Sequence, residues 1–117
     1  MHTLTLPYSR PPLTPNQRLH WAQKARITRQ IRETACALAR LTKIPAVGPS
    51  QIVAVWFTPD LRRRDAGSLS LTVKAAVDGL VDAGVFVDDD SKHVLSETYR
   101  IELDKSHPRI EIRIEAS

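Results

Sequence analysis

The chain is poor in several residue types that define whole classes of protein. It has one cysteine, Cys36, four glycines and two each of Trp, Tyr and Phe among 117 residues. A single thiol excludes an intrachain disulfide and a zinc site built from several cysteines, as is typical of a reducing compartment. No stretch approaches the roughly 20 apolar residues of a membrane span, and the proline-rich start is unlike a secretory signal. We therefore expect a soluble, cytoplasmic protein without a membrane partner.

The composition fits a single small domain, residues 1–117, with enough apolar residues for one core. Apolar residues make up 42 %, and 17 Lys and Arg against 13 Asp and Glu give a net charge of +4. Dimerisation would add burial that a domain of this size lacks. The positive charge suits a polyanionic partner such as nucleic acid, but many small soluble proteins are equally basic.

The first half of the chain alternates between strand and helix patterns. Thr3–Leu6 alternates as a short strand, and the prolines that follow impose an extended loop. A helical pattern runs from about Asn16 to Leu41, and the apolar run Ile52–Phe57 indicates a buried central strand. Both tryptophans are simplest to interpret as core residues. The predicted buried face of the helix comprises Ile27, Ile31, Ala35 and Leu38.

A second helix follows the loop of residues 59–67. Either Ser68 or Ser70 is placed to cap its N-terminus, and the apolar spacing continues to Asp82. Gly84 is placed to end the helix, because glycine adopts the left-handed conformation that follows many helix C-termini.

Three strands are predicted after this helix: Val85–Val87, Val94–Leu103 and the alternating segment Ile110–Ile114. The order is then strand, helix, strand, helix and three strands. This order predicts an α/β (α+β) domain of two layers, with two main helices on one face of a mixed β-sheet.

Two charge clusters are candidates for chemistry: Arg62-Arg63-Arg64-Asp65 and Asp88-Asp89-Asp90. A helix rises about 1.5 Å per residue and a strand about 3.3 Å, so a strand returning along the second helix would bring the Asp run near the helix start, beside Asp65. Carboxylates there suit Mg²⁺, and the arginines suit DNA phosphates. The alternative is a solvated loop and an ordinary turn, with Lys74 and Asp78 as a surface pair.

The spacing of these residues also resembles a known family. The matching segments are Arg62-Arg63-Arg64-Asp65, Lys74-x3-Asp78-x-Leu80, Ala83-Gly84-Val85, Asp88-Asp89 and Pro15-Asn16…Trp21. Together they resemble the RusA family of Holliday junction resolvases, most of all its actinobacterial and phage-type members.

The resemblance implies a RusA-like homodimeric endonuclease of a bacterium or phage-infected host. It would resolve four-way DNA junctions by paired symmetric nicks with Mg²⁺, for which Mn²⁺ can substitute. Carried over by position, Asp65 and Asp89 are catalytic metal ligands with Asp88 beside them, and Lys74 contacts the scissile phosphate. The candidate DNA-binding residues are Arg62, Arg63, Arg64, Lys74 and Arg29.

One motif departs from the family. Where the family has Asp and then Asn, this chain has Gly67 and Ser68. Glycine offers no side-chain ligand, so one expected carboxylate is missing, and Asp60 and Asp90 are the alternatives that could replace it. We hypothesise that the chain binds junctions but holds Mg²⁺ weakly, and that Gly67→Asp raises cleavage.

Three functions therefore stay open at this point. The first is a junction endonuclease, and the second is a junction-binding protein without catalysis. The third is a basic domain that binds a protein or RNA and has no preference for four-way junctions over duplex. The first two predict DNA binding that weakens with salt, because phosphate contacts release counterions.

Overall fold

The computed structural model of the protein describes residues 1–116, which form one sheet covered by two helices. A short 3₁₀ helix, Ala66–Leu69, runs directly into the second α-helix. The elements in chain order are β1 (His2–Leu6), α1 (Trp21–Leu41), β2 (Ser50–Thr58), α2 (Ser70–Asp82), β3 (Val94–Leu103) and β4 (Arg109–Ala116).

The sheet is mixed, with the strand order β1-β4-β2-β3. β4 is antiparallel to both β1 and β2, whereas β2 and β3 are parallel. Thr5 lies opposite Glu111 and Trp56 opposite Ile110. The predicted two-layer α+β class, with a mixed sheet and two main helices, is confirmed.

The core lies between one face of the sheet and the two helices. Because successive side chains of a strand point to opposite faces, Ile110, Ile112 and Ile114 of β4 all enter this core, and each is at most 1 % exposed. Ile31 and Ala35 of the predicted buried face of α1 are also in this core, and Ile27 and Leu38 of the same face are partly buried against it. The remaining central contacts come from Leu4, Leu6, Ile52, Ala54, Val73, Val77 and Leu80.

The two helices approach most closely at Gly79 of α2. A Cβ atom on this residue would lie 2.3 Å from the carbonyl oxygen of Arg32 and 2.9 Å from the Cβ of Ala35. Any side chain at position 79 would therefore collide with the backbone of α1. This close contact fixes which face of α2 is left outside.

Within residues 1–116, no helix lies over the opposite face of the sheet, which is covered by charged side chains. The guanidinium of Arg109 lies 3.9 Å from the centre of the Phe57 ring, and that of Arg113 lies 5.9 Å away. Both arginines also pair with Glu111, at 2.8 and 3.3 Å. The aliphatic parts of these side chains keep Phe57 only 8 % exposed.

The predicted strand Val85–Val87 is wrong. Val85 and Phe86 are buried, at 1 and 2 % exposed, but the segment forms no strand ladder. The amide of Val85 instead donates to the carbonyl of Leu80, and its carbonyl accepts from Val47. The sheet formed by the described residues therefore has four strands rather than five.

The start of α1 also differs from the prediction. Asn16 precedes the helix, because Gln17 closes a turn by accepting from the amide of Thr14, at 2.8 Å. His20 then caps α1 by accepting from the amide of Ala22. Trp21, predicted to be in the core, is 76 % exposed, whereas Trp56 is buried as predicted.

Candidate active site

The segment after α2 turns back along that helix and brings Asp89 to Lys74. The Lys74 Nζ donates to the Asp89 Oδ2 and, at 2.9 Å, to the Asp78 Oδ1. Lys74 and Asp78 are one helical turn apart, so α2 alone places them together. We call these three residues the Lys74 cluster. Their side chains are 57, 32 and 26 % exposed for Lys74, Asp89 and Asp78, so a ligand can reach them from solvent.

The charges in this cluster stabilise one another. The hydrogen bond from Lys74 holds the pKa of Asp89 below its ordinary value. The hydrogen bonds to Asp89 and then Asp78 raise the pKa of Lys74. At neutral pH Lys74 therefore stays protonated and acts as a cation or a hydrogen-bond donor, not as a general base.

A second cation from α1 lies next to the Lys74 cluster. Arg32 donates to Asp82 of α2 through two nitrogens, with Nε–Oδ2 at 2.6 Å and Nη2–Oδ1 at 2.8 Å. These bonds raise the pKa of Arg32, and the nearby charges of Asp78 and Asp89 add to the effect. The carboxylates of α2 are thus bordered by a basic residue on each side.

The three consecutive aspartates are used in three different ways. Asp88 accepts from the amide of Asp89, at 2.7 Å, which fixes the turn. Asp89 binds Lys74, and Asp90 contacts the Nδ1 of His93 at 2.6 Å. The contact with His93 lowers the pKa of Asp90. Each carboxylate therefore has its own nearby partner.

Asp65 caps the 3₁₀ helix that leads into α2. Its Oδ1 accepts from the amide of Gly67, at 3.0 Å. Neither Ser68 nor Ser70 caps α2 as predicted, because Leu69 occupies the N-cap position without a side-chain hydrogen bond. A Cβ atom on Gly67 would lie 3.4 Å from the Asp65 Oδ1, an ordinary contact. A side chain at position 67 would thus project beside the Asp65 carboxylate.

The loop of residues 59–67, which we call the arginine loop, carries one arginine held against the protein and two that face solvent. Arg64 lies 5.4 Å over the Trp56 ring, and its Nη1 donates to the Asp60 Oδ1 at 2.8 Å. This bond lowers the pKa of Asp60, so that carboxylate is already paired. Arg62 and Arg63 are exposed, and the only nearby acid of Arg62 in residues 1–116 is Asp60, at 3.7 Å. Because Arg62 has only this long contact and both side chains face solvent, these two arginines can meet a phosphate.

The arrangement also contains a cavity that the sequence did not predict. Thr72 of α2 holds the proline-rich segment through two hydrogen bonds with the backbone of Leu13, and Trp56 donates to the carbonyl of Ser9 at 3.0 Å. Between this segment and the arginine loop lies a cavity of about 800 Å³. Its lining includes Tyr8, Arg10, Trp56, Arg64, Asp65 and Ser68. The buried Oγ of Ser68 has no hydrogen-bond partner in the described part of the chain.

The predicted site residues are brought together only in part. Lys74 and Asp89 are in contact, and Asp88 is adjacent to Asp89 along the chain. Arg29 is exposed on α1, a different element from the arginine loop. Within residues 1–116 no group of three or more His, Cys, Asp or Glu side chains is placed to hold a metal ion. Asp65, Asp88 and Asp89 therefore do not form a three-carboxylate set.

Comparison with known proteins shows a similarity to a protein of uncharacterized function. No family model matches the chain. An uncharacterized protein of Xylella fastidiosa (strain Temecula1) is 29 % identical over 117 residues, which cover 95 % of this chain and 67 % of that protein. In the described residues, no helix is long and apolar enough to cross a membrane.

Proposed function

We propose that this chain is a RusA-like endonuclease that resolves four-way DNA junctions. The observation that carries the proposal is the Lys74 cluster, in which one lysine joins Asp78 of α2 to Asp89 of the returning segment. These residues come from two separate stretches of the family-like motif. A pattern that arose by chance would not require its two halves to meet in space.

The basic groups supply the contacts that a DNA substrate needs. Arg62 and Arg63 are exposed and bind backbone phosphates. Lys74, kept protonated by its two carboxylates, contacts the scissile phosphate and stabilises the charge that develops on it. Arg64 is held by Asp60 and Trp56, so it shapes the loop that presents the other two.

The donor chemistry fits a divalent cation of the hard type. Mg²⁺ takes oxygen ligands and commonly uses only one or two protein carboxylates. Asp65 keeps one oxygen, Oδ2, without a hydrogen bond in the described residues, and Asp89 is partly exposed. Asp65 and Asp89 would hold the ion, with Asp88 beside them. A bound Mg²⁺ or Mn²⁺ supplies an activated water and stabilises charge on the phosphate.

The proposal includes a homodimer in the cytoplasm of a bacterium or a phage-infected host. Two copies related by two-fold symmetry would present two equivalent sites, which matches the near two-fold symmetry of a four-way junction. Paired nicks of opposed strands need two such sites.

Gly67 favours a second candidate, a junction-binding protein with little or no cleavage. The family-like motif calls for a carboxylate at this position, and the two other acids that could replace it are engaged. Asp60 is bound by Arg64, and Asp90 contacts His93. In this case the arginines would bind the junction while the metal is held too weakly for catalysis.

The test is cleavage of a labelled four-way junction and a matched duplex, with Mg²⁺ and with EDTA. We expect junction-selective binding and paired, metal-dependent nicks. Asp89→Asn should lower the cleavage rate at least about 100-fold, since it removes a ligand and the partner of Lys74. Asp90→Asn is the matched control, because this neighbouring aspartate contacts His93 instead, and it should cut at nearly the parental rate.

The outcomes separate the candidate functions. Junction-selective binding without nicks would establish the binding protein. Equal binding of junction and duplex would contradict both and favour the third function, a basic domain for a protein or RNA. Equal losses for the two Asn variants would show that the Lys74 cluster is not the catalytic centre.

A further inference from the structure

The N-terminal half of α1 carries an aromatic ring that the core does not use. Trp21 is 76 % exposed, and its ring centre lies 5.5 Å from that of His20. A shallow groove of about 440 Å³ begins at this ring and follows the outer face of the helix. It is lined by Trp21, Lys24, Ala25, Thr28, Arg29 and Arg32.

The charged side chains of this groove all have the same sign. Lys24, Arg29 and Arg32 are basic, and the groove contains no acidic residue. Arg32 is paired with Asp82, whereas neither Lys24 nor Arg29 forms an ion pair with any of residues 1–116. Two free cations beside an exposed indole complement a ligand with phosphates and flat rings. An apolar protein partner would leave these cations buried without counter-charges.

The groove also leads to the candidate active site. From Trp21 to Arg32 the helix rises about 17 Å, the length of a few nucleotides. At its far end Arg32 donates to Asp82, which lies one turn of α2 after Asp78 of the Lys74 cluster. A strand lying in the groove would therefore approach the Lys74 cluster.

We propose that this groove binds single-stranded DNA, with a base stacked on Trp21 and phosphates on Lys24 and Arg29. The inference rests on the proposed function, since it takes DNA as the partner and assigns α1 to an unpaired strand next to the cut. Stacking of bases on aromatic rings tolerates any sequence, because every base has a flat face. The groove would thus accept an unpaired strand of any base sequence.

Tryptophan fluorescence offers a direct test, because the two tryptophans differ so strongly in exposure. Trp56 is only 9 % exposed, so quenching by a short oligothymidylate reports mainly on Trp21. We expect quenching in the natural chain and, by fluorescence anisotropy of a labelled oligothymidylate, about tenfold weaker binding by Trp21→Ala. Trp21→Phe keeps a ring and should recover most of the affinity. Leu41→Ala is the control, since this residue is 77 % exposed at the other end of α1 and should bind normally.

Failure of this inference can be told from failure of the proposed function. The chain could bind and cut junctions while the oligonucleotide causes no quenching and Trp21→Ala binds it with unchanged affinity. This result would overturn the assignment of single-stranded DNA to the groove and leave the proposed function standing. Absence of binding to any DNA would overturn both. Quenching by anionic lipid vesicles or by raised protein concentration, but not by oligonucleotide, would also overturn it and assign Trp21 to a membrane surface or a second copy.

Discussion

The two helices carry opposite charge, although they pack side by side on one face of the sheet. α1 contains five basic residues and one acid, whereas α2 with residues 88–90 contains five acids and one lysine. The basic residues of α1 are Lys24, Arg26, Arg29, Arg32 and Arg40, and its acid is Glu33. The acids of the second region are Asp78, Asp82, Asp88, Asp89 and Asp90.

Under the proposed function, this difference separates two tasks that a nuclease has to combine. A basic surface attracts the DNA backbone, and a carboxylate cluster repels it unless cations intervene. Two cations reduce this repulsion: Lys74 pairs with Asp89 inside the acidic region, and Arg32 of α1 pairs with Asp82 at its boundary. The contact between the helices is therefore the feature that keeps both tasks at one place.

Breaking the helix contact should have the largest effect on stability. A Cβ at position 79 would lie 2.3 Å from the Arg32 carbonyl oxygen, so Gly79→Ala forces the helices apart. We expect the free energy of unfolding to fall by about 2 kcal/mol, even though alanine favours helix by about 1 kcal/mol. Urea unfolding measures this change.

The control for that variant is Gly48→Ala. No atom lies within 4 Å of a Cβ at position 48, so the free energy of unfolding should stay within about 0.5 kcal/mol of the parent. A Gly79→Ala protein as stable as the control would show that the helices can separate without cost. The close contact would then not be what holds the basic helix against the acidic one.

Removing the charges of the arginine loop should have a smaller effect, on DNA affinity. Arg62→Ala with Arg63→Ala should weaken junction binding several-fold and lower the salt dependence by about 0.9 per lost phosphate contact. The measurement is the dissociation constant at several salt concentrations. An unchanged dissociation constant would show that the arginine loop does not bind DNA. The DNA-binding surface would then lie on α1, at Arg26, Arg29 and Arg32.

The smallest expected effect concerns the ion pair between the helices. Arg32 and Asp82 are 48 and 37 % exposed, so a double-mutant cycle with Arg32→Ala and Asp82→Ala should give a coupling of only about 0.5 kcal/mol. Arg32 lowers the pKa of Asp82, so this contribution is present above the ordinary carboxyl range and is lost as the pH falls through the folded value. A coupling that persisted in acid would rule out the ion pair as its source.

Periodicity predicted the elements whose side chains alternate between core and solvent. Ile110, Ile112 and Ile114 are the clearest case, since their spacing decides their burial directly. Val85 and Phe86 were misassigned because an apolar run indicates burial alone, whereas the backbone of Val85 is bonded to Leu80 and Val47 instead of to a neighbouring strand. Trp21 was misassigned because a large apolar residue is usually buried, and its position on the helical pattern does not mark it as an exception.

The site was predictable to the extent that it depends on element lengths. Element lengths predicted that residues 85–89 return along α2, and Asp89 does contact Lys74 of that helix, although the predicted strand does not form. The predicted position of the Asp run beside Asp65 stays a prediction. The cavity beside Asp65 was not predictable, because it depends on how Leu13 binds Thr72 across 59 positions of sequence. No local pattern encodes that contact.

Gly67→Asp restores the carboxylate that the proposed metal site lacks. The substitution has room, with the new Cβ 3.4 Å from the Asp65 Oδ1, and it adds a carboxylate beside a candidate metal ligand. The measurement is the rate of Mg²⁺-dependent cleavage of a four-way junction by the natural chain and by the variant. We expect paired nicks at least about tenfold faster with the added carboxylate, which corresponds to about 1.4 kcal/mol of extra transition-state stabilisation. A folded variant that binds the junction and cuts no faster than the natural chain would show that no missing carboxylate at position 67 limits cleavage.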